Sequence, residues 1–287
     1  MQYPDVYYSC EKASSDNQRK FLVSRGVEFV LLILAAGLGE IPRSSFHGAG
    51  PVAAFGLFLL ALIIRSSGVG DTAEKRWYDA RAASESIKSA AWQFAVKCKP
   101  YDSGDSDAKG LLVDLLKNVL KRVPKLEVNQ SRGTNAVVSQ EMSEIRSQKL
   151  EDRIAKYKEE RVEDQITWYK TKAKINKTRA KIWRVALIML ESVAVILGFI
   201  RVLGAFDVNW VGILATAAAG VAAWQQTRNF TFLSESYSVT TLELSFVLDT
   251  FLNVTDENGW SDAARDAESA FSREHGLWLV RRQLKSD

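Results

Sequence analysis

Glu28 and Glu191 are the residues best placed to do chemistry in this chain. Each is a carboxylate set inside a run of apolar residues. Holding an ionisable side chain inside a membrane helix costs at least ~2.5 kcal/mol, so such a residue marks either a function or a satisfied contact. The functional reading is a ring of carboxylates lining a cation path through an oligomer. The structural reading is a hydrogen-bonded acid that fixes helix register or, for Glu28, three positions after Arg25, an interfacial residue. Glu191 shares a helical face with Ala180, Trp183 and Leu187, a face expected to point into a bundle. Other chemistry is scarce. There is no Gly-x-Ser-x-Gly, no phosphate-cradling glycine loop followed by Lys-Ser/Thr, and no His-Glu-x-x-His. Two histidines, His47 and His275, and two cysteines, Cys10 and Cys98, give no metal-ligand spacing and no disulfide framework. The expectation is a non-enzyme without metal or cofactor.

Four apolar blocks must position the two acids. They lie between Arg25 and Glu40, Arg43 and Arg65, Arg184 and Arg201, and Asp207 and Arg228. The second and fourth, 21 and 20 residues, match the ~20 needed to cross a bilayer. The first and third, 14 and 16 residues, cross only if flanking arginines snorkel and the bilayer thins. The mean hydropathy of −0.11 hides these blocks by averaging them with charged stretches. The net charge of +4 does not suggest nucleic-acid binding, and its distribution says more. Fifteen Lys and Arg flank the outer ends of the blocks, whereas the two short turns hold only Arg43 and Arg201. That bias places both termini and the central region in the cytosol. The polar start, Met1 to Cys10, is not a signal peptide. The sequons at Asn129, Asn229 and Asn253 then face the cytosol and read as chance matches.

The remaining chain reads as amphipathic helix. Predicted helices run over Asp71 to Cys98 and Ala108 to Arg122. A third begins near Ser139 and, with no Pro or Gly before Gly198, continues into the third block. Asn229 to Asn253 continues after the fourth. Asn258-Gly259 is read as a break, Ser261 as the N-cap of a last helix ending near Leu284, and Trp278 as its largest apolar residue. Lys125 to Thr134 reads as a loop, and His47 as a turn residue. The stripe Gly212, Thr216 and Gly220 permits close helix approach, either within the chain or at a dimer seam. Lysines from Lys170 to Lys181 are expected near anionic headgroups, as orientation signals or lipid contacts. The fold class is all-α, with four transmembrane helices in two hairpins plus long cytoplasmic helices. One module covers 1–124, with membrane helices at about 26–41 and 46–64. A linker covers 125–138. A second module covers 139–287, with membrane helices at about 185–200 and 208–227.

The segment Arg76-Trp-Tyr-Asp-Ala-Arg-Ala-Ala-Ser-Glu-Ser-Ile-Lys-Ser-Ala-Ala-Trp-Gln-Phe94 resembles the helix that follows the membrane hairpin in SLATT-domain proteins. Asp164-Gln-Ile-Thr-Trp-Tyr-Lys-Thr-Lys-Ala-Lys-Ile-Asn176 is similar to the start of another such unit. The resemblance implies a tandem of two-transmembrane effector modules of bacterial conflict systems, without catalytic residues. It implies pore formation or membrane perturbation on an infection-linked nucleotide signal. The chain shows no sensor or nucleotidyltransferase module, so the sensor would be a separate protein. Expected partners are the lipid bilayer and further copies of the chain; the expected location is the bacterial inner membrane. A membrane-anchored helical module recruiting a soluble partner, and a small transporter with a midplane carboxylate, are the alternatives.

Overall fold

Apolar residues at three- and four-residue spacing, with few prolines, dictate helices, and the computed structural model contains helices as its only regular elements among the described residues. Those residues are 1–41, 48–123, 137–204 and 209–286, with side chains described as far as Phe271. The expected turn at Arg43 and His47, the loop at Lys125 to Thr134 and the side chain of Trp278 lie outside them.

The order is α1 (Asp5–Gly39), α2 (Ala49–Ser66), α3 (Val69–Ala95), α4 (Asp105–Arg122), α5 (Gln140–Ser147) and α6 (Leu150–Tyr157). After a π-helical turn at Lys158–Glu163 come α7 (Asp164–Val202), α8 (Trp210–Arg228), α9 (Phe230–Phe251) and α10 (Glu257–Ser286). The expected helix from Ser139 is interrupted. Ser139 caps α5, its hydroxyl accepting the Met142 N–H at 3.2 Å, and Gln148 and Lys149 then turn extended. No Gly or Pro marks that break. It falls between two buried arginines, Arg146 and Arg153, each tied to backbone carbonyls after α3. The last helix also starts earlier than its sequence suggested. Asp256 accepts the Gly259 N–H at 2.8 Å as its cap. Ser261 lies inside the helix, buried, and accepts the Lys99 N–H at 2.9 Å.

The chain divides into two compact units that cut across its sequence halves. One comprises Met1–Asn17, Lys75–Ala173 and Glu235–Asp287. Its core holds Trp92, Tyr157 and Trp260, all fully buried, with Tyr157 edge-on to both indoles at 5.7 and 5.5 Å. Each indole N–H is satisfied: Trp92 donates to Tyr3 Oη and Trp260 to the Val96 carbonyl. A second cluster packs Tyr7 and Cys10 of α1 on Ala80, Ala83 and Ile87 of α3 and Leu116 and Val119 of α4. Three arginines stitch this unit from inside, and Arg146 takes Asp105 as its acid at 2.7 Å. That pairing holds the Asp105 carboxyl below its ordinary range. A depressed carboxylate contributes stability above its unfolded pKa, and the contribution is lost as pH falls through the folded value. Acid titration of the folded protein should therefore be flatter below about pH 4 in Asp105→Asn than in the wild type; superimposable profiles would remove this role.

The other unit comprises Gln18–Glu74 and Lys174–Ser234. Its helices touch at small residues: a Cβ at Gly39 would meet Ala54, one at Gly26 would meet Trp224 and one at Gly198 would meet Val211. Its outer surface is apolar, with Phe55 69% and Val195 73% exposed. Water does not tolerate contiguous surface of that kind, and lipid does. Among the described residues three helices are long and apolar enough to cross a membrane: α1, the continuous Ala49–Ala95 and the continuous Leu150–Val202. Only 17%, 11% and 0% of their apolar windows are buried, so these runs are not the core of a soluble domain. The fourth expected block, α8, is 19 residues long but is not among the three. Its run of alanines and its Gln225-Gln226-Thr227 end make it less apolar than the others.

Candidate functional site

Glu28 does not stand alone. Arg25, one turn earlier on α1, donates to Glu28 Oε2 at 3.1 Å and to Asp71 Oδ1 of α3 at 2.5 Å. One guanidinium thus bridges two carboxylates where the apolar part of α1 begins. The Glu28 and Arg25 side chains are about 15% exposed, so this trio is partly desolvated and charge-assisted.

Glu191 is placed differently. Ala180, Trp183 and Leu187 are all partly covered, as a bundle-facing stripe should be. Glu191 is exposed, as are Met189 and Val195 on either side of it along the helix. It sits at the rim of the covered stripe, about 40° past Leu187, and the covered face is too narrow to include it. Among the described residues no hydrogen bond or ion pair reaches it. The expectation that it points into the bundle is corrected: within one chain, the carboxylate lies on the outer surface of an apolar helix.

The small-residue stripe of α8 divides its work. A Cβ at Gly220 would lie 3.2 Å from Ile33 Cδ1 of α1, so Gly220 lets those two helices approach. Gly212 serves the start of α8 instead. A Cβ there would lie 2.7 Å from Asn209 Nδ2, and Asn209 accepts the Gly212 N–H at 3.2 Å as the helix cap. Thr216 donates its hydroxyl to the Gly212 carbonyl at 2.9 Å. Asn209 also accepts from Arg201 at 2.7 Å and donates to Glu40 at 3.3 Å. Arg201 and Glu40, read from sequence only as block boundaries, thus form a polar knot at one end of this unit. Gly220→Val should force Ile33 aside and lower stability by about 1–3 kcal/mol, measured by thermal unfolding in detergent; an unchanged melting temperature would show that the helices separate freely here.

The cysteines offer no reactive group. Both are free and buried, and burial pushes the Cys98 thiol well above its ordinary range. Among the described residues no cluster of three or more His, Cys, Asp or Glu could hold a metal ion. The site is therefore a set of polar positions on apolar helices.

Comparison with known families matches this arrangement of helices in series. A family model described as SMODS and SLOG-associating 2TM effector domain 3 matches residues 4–154. One described as SMODS and SLOG-associating 2TM effector domain 1 matches residues 157–278. No curated protein and no solved structure matches the chain. The first match runs from the start of α1 to within α6, and the second starts at the residue before the π-helical turn. Each covers a long helix, a helix of 18 or 19 residues and a further long helix, in that order. The chain belongs to the SLATT family and is a tandem SLATT-domain membrane protein.

Proposed function

We propose that this protein is the membrane effector of a bacterial antiviral or conflict system. It crosses the inner membrane four times, α1 with α2 and α7 with α8 forming two hairpins. Its termini and central helices lie in the cytosol, the side favoured by the fifteen-to-two bias of flanking positive charge. Copies assemble into an oligomer that opens an ion path on a signal relayed by a separate nucleotide sensor. The family descriptions support the effector role.

The observation that carries the pore is the exposed carboxylate of Glu191. An ionised group facing lipid in mid-helix is unfavourable, and water in a pore or a polar group of a second copy relieves it. Glu28 already has its counter-charge in Arg25 and serves as an anchor at the membrane boundary. Protein reconstituted in planar bilayers should conduct cations in preference to anions. Glu191→Gln should reduce that preference several-fold while leaving expression and the assembled size unchanged. Electrically silent bilayers, across protein densities and with nucleotide added, would overturn the pore.

A further inference from the structure

Arg228 ends α8 in an unusual setting. Its guanidinium lies 5.8 Å from the Trp224 ring centre and 5.3 Å from that of Phe230, and the residue is half-buried. Trp183 of α7 and Trp224 of α8 pack at 6.4 Å, and Arg179 stands one turn before the first as Arg228 stands one turn after the second, so the two arginines share one level of this helix pair. Among the described residues neither arginine makes an ion pair or a hydrogen bond. Two arginines at one level, one of them held between rings and half-buried, lack the anion that such groups ordinarily meet. The structure elsewhere pairs its desolvated arginines with carboxylates, as at Arg146, Arg153 and Arg161.

The surroundings indicate which anion fits. Trp183 and Trp224 approach at 6.4 Å in the same region, and Gln225 ties the two helices by donating to the Trp183 carbonyl at 3.3 Å. Tryptophans at the end of an apolar helix are the usual occupants of the headgroup layer. Helix α9 starts at Phe230, so the positive end of a 22-residue helix lies beside Arg228, and its first turn holds no acid. A phosphate group suits these donors because its oxygens accept a guanidinium fork in bidentate fashion.

We infer that Arg179 and Arg228 form a binding site for a phosphate group, supplied by the headgroup of an anionic phospholipid. The site rests on the reading that α7 and α8 cross the membrane, which puts the pair at headgroup level. It holds the α8–α9 junction to the leaflet.

The test uses the full chain in neutral detergent with equal amounts of phosphatidylglycerol and phosphatidylcholine, read by native mass spectrometry. Wild type should retain phosphatidylglycerol preferentially, and Arg179→Gln, an exposed position whose loss spares the fold, should retain about tenfold less. Arg228→Lys should lose selectivity although it keeps the charge. Inorganic pyrophosphate forms the second arm. If it displaces the lipid and binds wild type but not Arg179→Gln, the site is a phosphate site that also takes a soluble source. Equal phosphatidylglycerol retention by wild type and both variants overturns the site. Flotation of the same protein with vesicles after a high-salt wash separates the two failures. Protein that floats yet shows no selectivity loses only the phosphate site, and protein washed off the vesicles overturns the spanning reading together with the site.

Discussion

Glu268→Gln should lower the stability of the protein by about 3–5 kcal/mol, although it changes one atom of one side chain. Glu268 and Arg161 are 1% and 2% exposed and face each other through two hydrogen bonds, at 2.9 and 2.7 Å. Tyr157 donates a third to the same carboxylate at 2.8 Å. Arg161 also stacks on Phe271, 4.1 Å from the ring centre, and its second terminal nitrogen already lacks a partner. Neutralising the carboxylate therefore leaves a buried guanidinium without a counter-charge, in a place water cannot reach. For a unit of this size the loss corresponds to a fall in melting temperature of roughly 10 °C. The double variant Arg161→Met, Glu268→Leu should recover most of it, because both charges leave together. Trp92 and Trp260, buried against Tyr157, supply the fluorescence signal. A Glu268→Gln protein melting within about 2 °C of wild type would sink this account.

Arg146→Ala should cost a similar amount by a different route. Its side chain, 4% exposed, donates to the carbonyls of Phe94 at 2.7 Å, Tyr101 at 2.9 Å and Ser103 at 2.8 Å, besides Asp105. It thereby satisfies the backbone where α3 ends and the chain turns toward α4. Deletion orphans the Tyr101 and Ser103 carbonyls, each costing about 1–3 kcal/mol unless water enters, while Phe94 keeps the Lys97 N–H. Arg146→Lys should rescue little, since a single ammonium cannot span a fork of acceptors. Hydrogen exchange in residues 95–104 should rise strongly in Arg146→Ala and nearly as much in Arg146→Lys. Wild-type protection there in the alanine variant would show that the loop holds itself.

The sequence made the helices legible because apolar spacing is local. The helix expected over Ala108 to Arg122 forms as α4, and Ala108, Leu112, Leu116 and Val119, spaced by four and three, are its buried face. The four apolar blocks were visible for the same reason, and the outward exposure of Phe55 and Val195 matches their composition. What could not be read depends on long-range partners. Arg146, Arg153 and Arg161 look like surface cations in sequence, and their burial follows from carbonyls and acids 40 to 110 residues away. The break at Gln148–Lys149 carries no glycine or proline because those anchored arginines set it. Angle alone puts Glu191 beside the covered face, and a helix contacted along a narrow stripe leaves that rim exposed. Gly212 and Gly220 share a stripe, yet one admits a neighbouring helix and the other its own cap.

The division into compact units that ignore the sequence halves has a consequence for biosynthesis. Val96 and Tyr157 are made well before Trp260, which covers them both. Arg161 likewise waits for Glu268. A ribosome that has delivered the first module, and even the second pair of apolar helices, has not yet delivered residues 235–287 that complete the first compact unit. Until those emerge, the aromatics and the cation that they bury stay open to water. Emergence of residues 235–287 is thus the step that closes this unit. Two fragments divided within residues 124–136 should regain it only when both are made in the same cell.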